Sequence, residues 1–377
     1  MKKFKPVKTA VIGCGVISGT YLNNCCKRFK ILDVVGCSDI KPERSAARAA
    51  EYGIKQMTNQ EILEDPKIEL VINTTYQTSH YEVTKAALAA GKNVYSEKMM
   101  AVNFEQGLEL SRLAQEKNLL YGCAPDTFLG AGLQTARRIV DSGLIGTPIA
   151  AEAILVRSYH QERTTVETDR HFVYRPGGGI IFDVGCYYLT SIVNLLGPIN
   201  RVCGFSVTRE ENSRIYMNPD NPDYGKIMKI ETPNLTAGAL EFKNGVYCPI
   251  LTTSEGPNFT NHFSIYGTEG KLTLNDPNEF TGRVMVRAKT GSDMEMPINH
   301  AFTDNYRGLG AADLAYALRN GRKPRASWEA ALHTFEAAWG LIKSGESDKF
   351  YKMTTTCERA EPIPAGYVEN PETGLDI

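Results

Sequence analysis

No C-x-x-C pair occurs anywhere in the 377 residues. The nine cysteines are scattered at 14, 25, 26, 37, 123, 186, 203, 248 and 357. That odd, unpatterned set fits neither a disulfide framework nor a zinc site, and a reducing, cytoplasmic setting is expected. Histidines, cysteines and carboxylates show no ligand spacing, so no metal site is expected. Neither charge is in surplus: Lys plus Arg total 42 against 43 for Asp plus Glu, a net charge of −1. A nucleic-acid partner and a charged tail are therefore not indicated. No apolar run approaches the ~20 residues that cross a bilayer, and a membrane is not expected as partner. The opening MKKFKPVKTAVIGCG has lysines before an apolar stretch, but that stretch is short and broken by glycines, so it reads as a strand rather than a signal peptide. Internal repeats and low-complexity tracts are also lacking. What remains is an ordinary globular composition, 42% hydrophobic, with length enough for two domains.

Within TAVIGCGVISGTY, an apolar run, Ala10-Val11-Ile12, leads into Gly13 and Gly15 and then a helical pattern. The dinucleotide fingerprint is G-x-G-x-x-G/A, and Ser18 stands at its last position here. Its first glycine permits a tight turn. Its second lets backbone N–H groups of the Gly15-Val16-Ile17 turn approach a pyrophosphate at a helix N-terminus. A glycine-rich turn after a first strand also fits methyltransferases and other nucleotide binders, so context must decide. The second strand ends at Asp39, in VVGCSDIKPER. An acidic side chain there accepts hydrogen bonds from the adenine-ribose hydroxyls and disfavours a 2′-phosphate, which points to NAD rather than NADP. Lys41 and Arg44 nearby weigh against that preference, and a helix N-cap or a turn before Pro42 is the other reading of Asp39.

The first 125 residues alternate strands (8–12, 33–38, 69–74, 92–95, 119–123) with helical patterns (18–29, 42–52, 59–64, 79–90, 104–117). Short Val/Ile-rich strands separated by amphipathic helices predict a doubly wound parallel sheet. Residues 126–350 change character. After a helix near 130–142, alternating segments and the turn Asn244-Gly245 predict a large, mostly antiparallel open sheet, with a helix near 182–195 and two more near 305–319 and 327–344. The segment 351–377 is polar and Pro-rich and reads as an arm over the surface or onto a neighbouring subunit. In GKNVYSEKMMA a strand delivers Glu97 and Lys98 to the carboxyl edge of the first sheet, where doubly wound folds bind ligands.

The elements GCGVIS, VINTTYQTSH, AALAAGKNVYSEKMMA, DSGLIGTP, GGGIIFDVGCYYL and IYGTEGKL run in order from residue 11 to about 345. Together they resemble the glucose–fructose oxidoreductase and inositol dehydrogenase family, Gfo/Idh/MocA. The resemblance implies an N-terminal Rossmann domain, a C-terminal α+β domain with an open sheet, a nicotinamide cofactor, and homo-oligomers formed through that sheet. Two positions depart from the pattern. Met99 follows Glu97-Lys98 where the family usually has proline, and Tyr187 stands four residues after Asp183 where many members have histidine.

The reaction so implied passes a hydride from a secondary carbinol to the nicotinamide, and it needs a base and a cation near the alkoxide. Lys98 suits the cation and can relay the proton. Tyr187 suits the base if its pKa falls from about 10 under a nearby ammonium. Asp183, at i, i+4 spacing, shares its helix face and orients the sugar or holds Lys98 protonated. The glycines 177–179 let backbone approach nicotinamide or substrate. His171 is the rival base, and His160 a second rival. Thr75 and His80 follow the third strand, near the cofactor, with a helix-start role open for His80. Asp126 and Thr127 are placed on substrate hydroxyls, beside Tyr159 and His160 of an aromatic and Arg-rich loop at 157–175 that suits a larger substrate. Three functions remain open: an NAD-dependent dehydrogenase of a sugar, cyclitol or glycoside, including the 3-hydroxyl of a C- or O-glycoside; an NAD-dependent glycosidase working by transient 3-oxidation and elimination; and a non-catalytic dinucleotide sensor.

Overall fold

The computed structural model describes residues 4–158, 171–209, 214–216, 219, 221–256 and 258–365, with only the backbone of His171, Phe172 and Arg214. The first region alternates β1 (Val7–Ile12), α1 (Val16–Lys27), β2 (Leu32–Ser38), α2 (Pro42–Tyr52), β3 (Lys55–Gln56), α3 (Asn59–Glu64), β4 (Leu70–Asn73), α4 (Gln77–Ala89), β5 (Asn93–Ser96), α5 (Phe104–Glu116) and β6 (Tyr121–Cys123). The six strands pair in parallel in the order β3-β2-β1-β4-β5-β6. Every residue of β4 and β5 is buried, as strands covered by helices on both faces must be. Local signals set the helix ends. Pro42 occupies the first turn of α2, and a Thr58–Glu61 capping box opens α3. The two-residue strand β3 has no apolar signature and escaped sequence reading. The strand order reverses between β1 and β4, and a crevice opens there at the carboxyl edge.

The second region comprises α6 (Ala131–Asp141), β7 (Pro148–Val156), α7 (Ile180–Asp183), α8 (Gly185–Leu196), β8 (Ile199–Val207), β9 (Arg214–Ile215), β10 (Ile227–Met228), β11 (Leu235–Phe242), β12 (Tyr247–Thr253), β13 (Thr260–Gly267), β14 (Gly270–Leu274), β15 (Val284–Ala288), β16 (Asp293–Glu295), α9 (Leu309–Asn320), α10 (Trp328–Ser347) and β17 (Tyr351–Lys352). Nine strands form one sheet in the order β16-β15-β14-β13-β7-β12-β11-β8-β17. It is antiparallel except where β12 runs parallel to β7, and the Asn244-Gly245 turn joins the β11–β12 hairpin. One face, with Ala153, Leu155, Val202, Leu240, Ile250 and Phe263, is buried under helices including α8 and α10. The other turns outward a row that pairs Val207 with Leu235, and Phe205 and Leu251 with Ala237.

Two features of the organisation bear on the site. The helix α9, read as part of the second domain, packs on β5 and β6 of the first sheet, with Gly310 directly against the Tyr95 ring. The predicted helix over 182–195 is two helices that break at Val184, so Asp183 and Tyr187 do not share one helix. The described part of the C-terminal arm lies on its own domain. β17 pairs with β8, and Glu336 accepts hydrogen bonds from the backbone and hydroxyls of Thr354 and Thr355.

Candidate active site

A cavity of about 650 Å³ runs along the crevice, from Asp39 at one end to Lys98, Asp183, Tyr187 and Arg307 at the other. The glycine turn forms its floor. Gly13 has φ +102°, and a Cβ on it would lie 2.6 Å from the backbone of Thr74 and Thr75, so only glycine lets β1 and β4 close up here. Gly15 precedes α1 with open space where a Cβ would stand. The first turn of α1 carries neither a capping side chain nor an acidic residue, leaving a dipole end suited to a pyrophosphate. Ser18 replaces the third glycine by folding inward: it is fully buried and donates to the Gly15 carbonyl at 2.6 Å. Val16, Ile17 and Thr75 line the cavity, the Thr75 hydroxyl donating to Asn73. Asp39 lines it too, its two carboxylate oxygens accepting the N–H groups of Cys14 (2.6 Å) and Lys41 (2.8 Å). It is thus the turn residue before Pro42, while Lys41 is the N-cap of α2. The glycine cradle, the open helix end and the carboxylate fit a nicotinamide dinucleotide.

At the far end the loop after β5 presents Glu97 and Lys98. Glu97 is buried, accepting from the Tyr21 hydroxyl at 2.6 Å and from the Lys98 N–H at 3.1 Å. Lys98 Nζ donates to both the carbonyl and the carboxylate of Asp183, each at 2.7 Å. Diverting that carbonyl to Lys98 removes it from the helix ladder, which accounts for the break at Val184. Burial opposes the Lys98 charge, but the Asp183 carboxylate, with Tyr187, Cys186 and Glu97, outweighs it and holds the pKa well above the ordinary lysine range. The ion pair with Asp183 favours the ammonium form of Lys98.

Tyr187 is 7% exposed, with Lys98 Nζ 5.7 Å from its ring centroid. Its pKa does not fall as the base role required. Burial pushes it up to about 12, against the pull of Lys98 and Arg307, so the hydroxyl holds its proton at neutral pH. His80 is buried, with Nδ1 2.6 Å from the Met99 carbonyl and Nε2 2.9 Å from the Thr75 carbonyl. It ties together the two loops that edge the cavity, and burial lowers its pKa.

Asp126 and Thr127 are not on the substrate side. Asp126 is 1% exposed, outside the cavity lining, and its Oδ2 accepts the N–H groups of Gly308 (2.9 Å) and Gly310 (3.0 Å) at the start of α9. The Thr127 hydroxyl is buried with no hydrogen-bond partner among the described residues. The glycines 177 and 179 pack against protein: a Cβ on Gly177 would strike Val102, and one on Gly179 would crowd the Pro233 carbonyl and the Thr232 side chain. Tyr174, from the Arg-rich loop, is buried in a small satellite core with Tyr216, Met228 and Ile230. Tyr159, His160 and the side chain of His171 lie outside the described residues. Among the described residues no cluster of three His, Cys, Asp or Glu could hold a metal ion. No helix among them is long and apolar enough to cross a membrane.

Sequence reading missed Arg307, Asn278 and Asn305, which complete the wall beside Tyr187. Arg307 Nη2 donates to the carbonyl (3.1 Å) and side chain (2.6 Å) of Asn278, and Nη1 donates to Asn305 (3.0 Å). A loop arginine in NYRGLG resembles any solvated charge, and the following Gly308 was its one local signal.

The family model described as an oxidoreductase family with an NAD-binding Rossmann fold (GFO_IDH_MocA) matches residues 7–124. The GFO/IDH/MocA C-terminal domain matches 133–273. The uncharacterized oxidoreductase C115.03 of Schizosaccharomyces pombe is 30% identical over 59% of this chain and 60% of its own length; this chain thus spans less than two thirds of that relative. The 1,5-anhydro-D-fructose reductase of Ensifer adhaerens is 24% identical over 86% of this chain and 92% of that protein. A levoglucosan dehydrogenase in complex with NADH superposes with a TM-score of 0.79 at 16% identity, over 93% of this chain and 100% of that one.

Proposed function

Because the chain belongs to the Gfo/Idh/MocA family of NAD-binding oxidoreductases, we propose that it moves a hydride between NAD and a secondary ring hydroxyl of a sugar, cyclitol or glycoside, the 3-hydroxyl of a glycoside included. One observation carries the reading: Lys98 is fixed as an ammonium by Asp183 at 2.7 Å, at the end of the crevice where Tyr187 stands. A bound nicotinamide supplies the hydride acceptor or donor. The glycine turn holds the pyrophosphate, and Asp39 meets the adenine ribose and disfavours a 2′-phosphate. Lys98 stabilises charge growing on the substrate oxygen. Tyr187 holds a proton at its Oη and gives it to that oxygen in the reductive direction; in the oxidative direction the Oη proton first leaves to solvent, and the phenolate then takes the proton of the substrate hydroxyl. Two further properties complete the proposal. The outward row around Phe205 (76% exposed) and Val207 (40%) is an apolar surface suited to a second copy of the chain. The nine free cysteines fit work in the reducing cytoplasm.

The test incubates protein and NAD with a panel of sugars, cyclitols and glycosides. Growth of NADH absorbance with at least one member, abolished by Lys98→Met while NADH binding persists, is the expected result. Aglycone release without NADH would replace it with the glycosidase reading, and no turnover of any kind would leave a dinucleotide sensor.

A further inference from the structure

The cavity end beside Tyr187 carries a second cation whose role nothing above assigns. The Arg307 guanidinium carbon lies 6.0 Å from the Tyr187 ring centroid, close to the 5.7 Å of Lys98 Nζ from the same ring. The two come from distant points of the chain, the loop after β5 and the turn before α9. Their surroundings differ. Lys98 gives its hydrogen bonds to a carboxylate, whereas Arg307 bonds the neutral groups of Asn278 and Asn305. Its charge is therefore not cancelled by direct contact, although the cavity end is largely desolvated. Burial acts against that charge, and Tyr187, Asp126 and Glu97 hold it in place. Its position is fixed from both sides: Asn278 and Asn305 grip the guanidinium, and Asp126 grips the amides of Gly308 and Gly310 just beyond it in the chain.

We infer that Arg307 is a positioning residue for proton transfer, acting on Tyr187 together with Lys98 so that the negative charge left on the phenolic oxygen is stabilised by two cations. The inference rests on the function proposed above. When a ring ketone is reduced, its carbon accepts the hydride and its oxygen takes the Tyr187 Oη proton. The electron pair of the broken O–H bond stays on Tyr187, and solvent later returns the proton. The groups that bear on this phenolate are Lys98 and Arg307, which favour it, and Glu97 and the Cys186 thiol, which oppose it together with burial. Since burial disfavours the phenolate, a lone cation is a weak counterweight, and a second at equal range makes the transfer accessible. This also gives Asp126 a purpose that a contact with substrate did not: it locks the backbone that carries Arg307.

The test is NADH-driven reduction of a ring ketone by wild type, Arg307→Met and Arg307→Lys, with NADH affinity measured by fluorescence to report the intact site. The inference predicts that Arg307→Met lowers kcat about tenfold to hundredfold with KM within about twofold, the signature of an interaction made only in the transition state. Arg307→Lys, which keeps the charge, recovers most of the rate. A raised KM with unchanged kcat would make Arg307 a substrate anchor and overturn the inference, as would unchanged kinetics or equal loss in both variants. Tyr187→Phe separates the two levels. If it keeps full turnover, the proton-transfer role of Tyr187 fails and the inference with it. If it loses turnover while Arg307→Met does not, the inference alone fails.

Discussion

Lys98→Met removes the ammonium while nearly preserving the length of the side chain. In the native protein Nζ contacts the Asp183 carboxylate and carbonyl at 2.7 Å each, with side-chain exposures of only 15% and 17%. At that separation the attraction in a protein of effective dielectric ~20 is about 6 kcal/mol before desolvation is subtracted. Breaking a buried pair by removing one partner destabilises by about 3–5 kcal/mol, against about 0–1 kcal/mol for an exposed pair. Lys98→Met should therefore fall at the low end of the first range, about 3 kcal/mol, because both groups keep some solvent. Asp183→Asn relieves part of that loss, so the double variant should be more stable than the sum of the single effects by about 2 kcal/mol. Denaturant unfolding of wild type, both single variants and the double variant reads the coupling directly. A coupling near zero, with each single variant within about 0.5 kcal/mol of wild type, would mean that the pair is screened by water, and the fixed-ammonium argument would be refuted.

Two predictions concern other parts of the molecule. His333 is fully buried, its Nε2 accepts the Ile199 N–H at 2.9 Å, and burial lowers its pKa from 6.5 to about 4. The unfolded chain binds this proton first, so stability is full above pH ~6.5 and declines as pH falls toward ~4, by about 3 kcal/mol in all. His333→Gln should flatten that decline in a thermal-melt series, and an unchanged slope would exclude His333 as its source. Phe205→Asp, on the outward sheet face, should lower the sedimentation coefficient toward that of a single chain without lowering the melting temperature of that chain. An oligomer that persists in this variant would remove the face from the assembly.

The first sheet was legible because its signals are local: all-apolar strands, helix starts and a glycine turn at fixed spacing. Gly13 and Ser18 stand in the turn between the first strand and helix, and Asp39 follows the second strand beside them, its carboxylate taken by backbone N–H groups. The site's far end was legible only in part. Lys98 and Asp183 stand 85 residues apart in sequence, yet one ion pair joins them. The i, i+4 spacing of Asp183 and Tyr187 suggested one helix face, which the diverted Asp183 carbonyl breaks. Asp126 followed a strand end and resembled a ligand-facing acid, but its partners are two amides more than 180 residues away. Arg307 lies 120 residues from Tyr187 in the chain, and no periodic pattern marks such an approach. Burial likewise left no trace in the sequence, and it reverses the expected shift of the Tyr187 hydroxyl.

The central claim is that Lys98 and Tyr187, carried by different parts of the chain, converge on one reacting carbon beside the nicotinamide. A crystal structure of the protein with NAD and a sugar that it oxidises tests this most directly. The account predicts the substrate hydroxyl within hydrogen-bond reach of both Lys98 Nζ and Tyr187 Oη, with its carbon facing the nicotinamide ring. A substrate oxygen bound away from both groups, or a nicotinamide lying outside the Lys98–Tyr187 end of the crevice, would contradict it.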